Sequence, residues 1–222
     1  MNLTALHRRL LADVLTIGTP YPLVVTGGYA VQAHGLVERL SQDLDVATEN
    51  PAPMADITRT VVEGLTTRGW HVRLIGADPL SGRLIATDPA TNEECEVDIL
   101  KEAFWAPPTS TAIGPVLSLD DVIGTKVRAL ADRGAVRDLI DVHAASRHRT
   151  TADLESLGRR HARIEFDLHD LHDRLNGADW YEDEEFAAYG LTPGQTADLR
   201  TWALAWATDL DTRLHQDDHH DG

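Results

Sequence analysis

The sequence predicts an α+β fold in which a mixed sheet with flanking helices precedes a C-terminal helical bundle. Apolar patterns typical of helices and strands alternate up to about residue 100, and such alternation favours helices packed against a sheet. Pro107 and Pro108 then interrupt the chain, and from residue 118 onward the apolar patterns have the helical period. We therefore predict a sheet domain over 1–108, a helical domain over 109–215 and a disordered tail over 216–222.

Periodicity and turn residues define the elements of the first domain. A helix over 3–16 precedes a short apolar strand from Leu23 to Val25, which ends at a glycine pair. The remaining predicted elements are helices over 29–36 and 54–68 and strands over 43–48, 70–75, 82–87 and 94–100. In the second domain, Ser118 begins a sequence similar to a capping box. We predict helices there over 119–133, 136–148, 152–175 (with a break) and 193–215, and a loop over 177–190.

The composition limits the class of protein. The single cysteine, Cys95, excludes an intrachain disulfide and favours a reducing compartment. No apolar run reaches the roughly 20 residues of a membrane span, and the N-terminal segment has no signal-peptide pattern. We therefore expect a cytoplasmic protein without a membrane partner. The net charge of −16 opposes binding to polyanions, so DNA is not expected and an RNA partner requires a local basic patch.

The chemistry-bearing residues begin with Gly27-Gly28 and the pair Asp43 and Asp45. Residues two apart on a strand point to the same face, so the two carboxylates would converge on one point. Their apolar neighbours indicate a half-buried strand, where like charges need a neutralising partner. A divalent metal carrying a nucleotide triphosphate fulfils this need. The bare backbone of the glycine pair would let phosphates approach the following helix N-terminus.

A third carboxylate is expected on the strand over 94–100. Asp98 lies between Val97 and Ile99 on what we predict to be an edge or near-edge strand. Glu94 and Glu96 share its face and are alternative ligands. An ordinary surface acid is the simpler explanation that remains open.

Lys126 is one of only two lysines and falls in the apolar stripe of its predicted helix. A lysine there must extend its amine to solvent or meet an anion, and a nucleotide phosphate is one such anion. Asp138 and Asp141 share a face of the next helix. Pairing of these aspartates with Lys126, Arg128 or Arg133 is the structural alternative.

These motifs resemble a known family. Gly27-Gly28 followed by Arg39-Leu40-Ser41-Gln42-Asp43-Leu44-Asp45 resembles the signature of polymerase-β-like nucleotidyltransferases. Lys126 with its neighbours to Leu130, followed by Arg137-Asp138-Leu139-Ile140-Asp141, is similar to the AbiEii/AbiGii (MenT-like) toxin branch of type IV toxin–antitoxin systems. The resemblance extends over about residues 20–145.

The resemblance implies a nucleotidyltransferase mechanism with defined residue roles. Asp43, Asp45 and Asp98 would hold two Mg²⁺ ions, and Lys126 would bind a phosphate. Asp141, or less directly Asp138, would orient the lysine or the base. The triphosphate site that it implies comprises Gly27, Gly28, Arg39, Ser41, Lys126 and Asp138. The implied partners are an NTP, the 3′ end of tRNA as acceptor and a cognate antitoxin.

Two other functions remain compatible with the sequence. A nucleotidyltransferase of the aminoglycoside type would use the same motif on a small cationic acceptor, which suits an acidic protein. A non-catalytic nucleotide-binding or interaction module is the second alternative. The chain contains no Walker loop, no zinc-ligand spacing and no Gly-x-Ser-x-Gly nucleophile motif.

Overall fold

The computed structural model describes residues 3–39 and 41–218 of the chain. These residues form two compact units, the first ending at Val122 and the second beginning at Ile123. The helices of the first unit are α1 (Ala5–Ile17), α2 (Gly27–Ala33) and α3 (Met54–Thr67). Its strands are β1 (Val24–Val25), β2 (Leu44–Thr48), β3 (His71–Ala77), β4 (Ser81–Thr87), β5 (Glu94–Lys101), β6 (Thr109–Thr111) and β7 (Gly114–Val116).

The strands of the first unit form one mixed sheet in the order β3-β4-β5-β2-β1-β7-β6. Strands β2 and β5 are parallel, as are β1 and β7, and the other neighbouring strands are antiparallel. Alternating residues give the sheet one apolar face, on which Leu84, Val97 and Leu44 are fully buried in register across three strands. Helix α3 packs against β3 and β4 through an apolar stripe that includes Ile57, Val61 and Leu65. The polar residues that alternate with this core therefore lie on the opposite face.

The second unit is helical, as the sequence predicts. Its helices are α4 (Leu119–Arg133, which begins in the first unit), α5 (Val136–Ala145), α6 (Thr151–Arg160), α7 (Leu168–Asn176), α8 (Asp183–Ala187) and α9 (Pro193–Asp218), with a 3₁₀ helix over Gly177–Trp180. A capping box formed by Thr150 and Asp153 begins α6 and satisfies backbone donors of its first turn. None of the helices within the described residues is long and apolar enough to cross a bilayer.

The structure differs from the sequence prediction in four places. Strands β6 and β7 lie in the range that we assigned to the helical domain. The sequence did not indicate them, because three-residue strands rich in Thr, Ser, Gly and Pro lack an apolar alternation. Of the predicted edge or near-edge positions for the strand of Asp98, the edge position is wrong, because β5 lies between β4 and β2 as the third strand from the β3 edge. The predicted loop over 177–190 contains two short helices, and α9 continues through Asp218. The rest of the predicted tail, 219–222, and Leu40 of the signature motif lie outside the described residues.

Candidate active site

The central feature of the first unit is a row of three charged residues across neighbouring strands. Arg83 of β4 is in register with Asp98 of β5, and Asp98 is in register with Asp45 of β2. Adjacent strands lie about 4.8 Å apart, so these side chains are direct neighbours on the face opposite the apolar core. Asp43 directly precedes β2, and both it and Asp45 are half-buried. The structure therefore brings Asp45 and Asp98 together, as the sequence analysis expected.

Gly27 lies directly against the carboxylate of Asp45. Its φ of +60° falls in the left-handed region, which glycine adopts without steric cost. A Cβ atom placed on Gly27 would lie 1.8 Å from Asp45 Oδ2 and 2.5 Å from Asp45 Cγ. The backbone of Thr26 adds a second link, because its N–H donates to the carbonyl oxygen of Asp45 at 3.0 Å. The glycine is therefore required both by the backbone conformation and by the position of the carboxylate.

Gly28 lies close to the side chains of Ser41 and Arg39, two residues of the signature motif. A Cβ atom there would lie 2.4 Å from Ser41 Oγ and 3.7 Å from an Arg39 guanidinium nitrogen. The Ser41 hydroxyl donates to the carbonyl oxygen of Asp43 at 3.2 Å. The N-terminus of α2, the Ser41 hydroxyl and the Arg39 guanidinium thus form one cluster of hydrogen-bond donors, which is the chemistry that phosphate oxygens require.

Two buried side chains outside the signature support this cluster. His7 of α1 hydrogen-bonds the Tyr29 hydroxyl, and that hydroxyl donates to the carbonyl oxygen of Ser41 at 3.2 Å. Burial lowers the pKa of His7, although the charges of Asp43 and Glu93 oppose this shift. Burial, assisted by the Cys95 and Asp43 charges, raises the pKa of Tyr29 to about 12. Both groups are therefore neutral at neutral pH and act as hydrogen-bonding supports for the loop that carries Ser41.

Cys95 is not a nucleophile in this environment. Its side chain is buried on the core side of β5. Burial first, and the charge of Asp43 second, raise the pKa of the thiol to about 12. A thiol that stays protonated at neutral pH has little nucleophilic character.

Asp98 already has a cationic partner within the protein. The Arg83 guanidinium binds it with both arms, through Nε to Oδ1 at 2.7 Å and an Nη to Oδ2 at 2.8 Å. Glu96 Oε1 lies 3.2 Å from the same Nε. Hydrogen bonding to Asp98 is the main cause of a raised pKa at Arg83, so the guanidinium stays charged. The sequence analysis missed Arg83; its placement as one charge in an otherwise apolar strand pattern was the available signal.

The donor set of the site suits a divalent cation. Asp45 and Asp98 carry carboxylate oxygens on adjacent parallel strands, and carboxylate oxygens are the ligands that Mg²⁺ prefers. Across residues 3–39 and 41–218, however, no three or more His, Cys, Asp or Glu side chains are arranged to hold a metal ion. Both oxygens of Asp98 instead accept hydrogen bonds from Arg83.

The second unit contains a separate buried cluster of charges. Lys126 Nζ lies 2.9 Å from Asp141 Oδ2 and 3.6 Å from Asp138 Oδ1. Arg133 binds Asp138 with two hydrogen bonds of 2.7 and 3.0 Å. Burial alone would raise the pKa of Asp138, but hydrogen bonds from Arg133 and the charges of Lys126, Arg133 and Arg137 outweigh it and hold that pKa below its ordinary value. The anions that Lys126 meets in the structure are therefore two carboxylates of α5.

Comparisons with known proteins identify the family and the fold. The family model described as "Nucleotidyl transferase AbiEii toxin, Type IV TA system" matches residues 9–210. The chain belongs to the AbiEii nucleotidyltransferase toxin family. This confirms the resemblance carried by the signature motifs and extends it to nearly the whole chain, well beyond residue 145. The protein is thus a nucleotidyltransferase, and its family implies an NTP substrate and an antitoxin.

Solved structures show the same fold at low sequence identity. JHP933 from Helicobacter pylori is 18% identical with a TM-score of 0.54, and the similarity covers 100% of both chains. MenT4, a nucleotidyltransferase toxin from Mycobacterium tuberculosis, is 18% identical with a TM-score of 0.61 over 95% of this chain and 85% of its own. No curated protein is similar enough in sequence to count as a match.

Proposed function

We propose that the protein transfers a nucleoside monophosphate from an NTP to the 3′ hydroxyl of tRNA, as the toxin of a type IV toxin–antitoxin system. The observation that supports this most strongly is the close approach of Gly27 to Asp45, beside the donor cluster of Gly28, Ser41 and Arg39. A carboxylate of the type that binds Mg²⁺ lies beside a bare backbone and donors of the type that bind phosphates, which supports the proposal.

Each residue has a defined task in the proposed reaction. Asp43 and Asp45, with Asp98, would hold Mg²⁺, for which we propose two ions; bound there, the metal neutralises the charge of the triphosphate. The α2 N-terminus, Ser41 and Arg39 would bind the phosphates by hydrogen bonds. The acceptor hydroxyl releases its proton to solvent as its oxygen forms a bond to the α-phosphorus. The bond from the α-phosphorus to the oxygen that bridges to the β-phosphorus breaks, and pyrophosphate leaves with that oxygen.

We further propose that Lys126 contributes a positive charge to the nucleotide. Its amine is held by Asp141 at 2.9 Å, which fixes its position and supports the expected orienting role of Asp141. Asp138 holds both Lys126 and Arg133. A fixed cation stabilises charge that develops on a phosphate more effectively than a mobile one does.

The acceptor is the least constrained part of this proposal. The net charge of −16 favours a cationic small molecule over RNA on electrostatic grounds. An aminoglycoside-type acceptor is therefore a second candidate, and the experiment must distinguish the two acceptors directly.

The test combines purified protein with Mg²⁺, each α-³²P-labelled NTP and either total tRNA or a panel of aminoglycosides. We expect label on tRNA, and we expect Asp45→Ala to abolish the transfer. Asp56→Ala is the matched control, because Asp56 is a partly exposed carboxylate of α3 that forms an ion pair with its helical neighbour Arg59. Label on an aminoglycoside alone would contradict the tRNA acceptor and identify a small-molecule acceptor. Full activity of Asp45→Ala would contradict the assignment of the site.

A further inference from the structure

The bidentate pair between Arg83 and Asp98 lies at the carboxylate where the proposed function needs a metal ligand. The two residues are in register on β4 and β5, and Asp45 continues the row on β2. The Asp98 side chain is only 14% exposed, and each of its two oxygens accepts a hydrogen bond from the guanidinium. The carboxylate charge is thus already neutralised within the sheet.

A metal ion and the guanidinium compete for the same charge. A carboxylate oxygen retains a second lone pair beside a hydrogen bond, so Asp98 can still be approached from the side of Asp45. A cation that binds there must do so close to a fixed positive charge, which opposes its binding electrostatically. Glu96, 3.2 Å from the Arg83 Nε, offers the guanidinium an alternative carboxylate on the same strand.

We propose that Arg83 is a positioning residue that competes with the divalent metal for Asp98. While the guanidinium holds Asp98, the site binds metal weakly through Asp43 and Asp45. Movement of Arg83 toward Glu96 releases Asp98 to act as the third ligand. The negative charge of a bound triphosphate would favour this release, so that metal and nucleotide bind together. This inference rests on the proposed function, because it concerns the ligands of the same metal site.

The test measures Mn²⁺ binding to the full-length protein without nucleotide, by the electron paramagnetic resonance signal of free Mn²⁺. We expect Arg83→Gln to tighten Mn²⁺ binding by about fivefold or more. The half-exposed ion pair that the metal must compete with has a free energy equivalent to about that change in affinity. Arg83→Lys keeps the charge but loses the two-armed geometry, so its affinity is expected between those of the wild type and Arg83→Gln. Combining Asp98→Asn with Arg83→Gln should abolish the gain.

Arg73→Gln is the matched control, because Arg73 lies on the neighbouring strand β3 in register with Ile85 and is exposed. It removes one positive charge from the same sheet without touching Asp98, so its Mn²⁺ affinity is expected to equal that of the wild type. A gain in Arg73→Gln as large as that in Arg83→Gln would reduce the effect to net charge and overturn the proposal.

The remaining outcomes separate this inference from the proposed function. If Asp45→Ala loses both Mn²⁺ and transfer activity while Arg83→Gln binds Mn²⁺ like the wild type, the role of Arg83 is wrong and the metal site stands. If Asp45→Ala and the wild type bind Mn²⁺ equally, both proposals fail. Circular dichroism of each variant confirms that the comparison is made between folded proteins.

Discussion

Replacing Gly27 by alanine tests the link between the glycine turn and Asp45, the proposed metal ligand. The added Cβ atom would lie 1.8 Å from Asp45 Oδ2, 2.5 Å from its Cγ and 2.7 Å from its Cβ. Carbon and oxygen atoms that are not bonded need more than 3 Å, so the Asp45 side chain must move by about 1 Å or more. A displacement of about 1 Å at a reacting group can reduce the rate by about 10²-fold.

The variant also carries a backbone cost that must be separated from this displacement. At a φ of +60°, an alanine costs roughly 1–2 kcal/mol relative to glycine. Gly35 provides the matched control, because its φ is +71° and no atom lies within 4 Å of a Cβ placed there. Gly35→Ala therefore bears the same type of strain without touching a carboxylate.

We expect both variants to lose a similar free energy of unfolding in urea. Only Gly27→Ala should lose transfer activity, by about 10²-fold, together with a large part of its Mn²⁺ affinity. If Gly27→Ala and Gly35→Ala show the same transfer rate and the same Mn²⁺ affinity, the contact with Asp45 has no role in metal binding. The reasoning from the close approach would then be refuted.

Three further predictions concern the supports of the two clusters. Lys126→Ala should lower the free energy of unfolding by roughly 3 kcal/mol, because it removes a cation from a buried ion pair; a urea-measured loss below about 1 kcal/mol would contradict this. Burial lowers the pKa of His7, so the unfolded chain takes up this proton at a higher pH than the folded protein does; the free energy of unfolding should be highest above about pH 6.5 and fall below it, and His7→Gln should make that fall shallower in urea titrations on either side of this pH. Gly28→Ala should reduce nucleotide affinity in calorimetry, because its Cβ atom would displace the Ser41 hydroxyl, a proposed phosphate donor; an unchanged nucleotide affinity would contradict that role of Ser41.

Elements with a long, regular apolar pattern were predictable from the sequence. Helix α3 shows this, since Ile57, Val61 and Leu65 recur at helical spacing and are all fully buried. Strands β6 and β7 show the opposite case. Each has three residues. Strand β7 is part of the sheet because its backbone pairs with that of β1, and no local sequence pattern indicates such a long-range pairing.

The pairing of Asp98 could not be predicted because it depends on strand register. The sequence indicated which residues of β5 share a face, but not which residue of β4 lies opposite each of them. A shift of one residue in this pairing would move Arg83 to the apolar side and place Gly82 or Leu84 opposite Asp98. The register is set by the buried row of Leu84, Val97 and Leu44, so core packing determines the partner of a polar residue on the other face.

Lys126 and Asp98, one positively and one negatively charged, both show what the sequence can predict about a charged residue among apolar neighbours. Both were identified because a charged group among apolar residues requires an opposite charge. In the structure, each requirement is met within the protein, by Asp141 for the lysine and by Arg83 for the aspartate. A sequence rule of this kind therefore detects the need for a counter-charge without naming its source. In the mechanism that we propose, phosphate and metal would bind at sites whose charges are already paired. Removing the internal partner is therefore the direct way to measure how strongly the pairing opposes them.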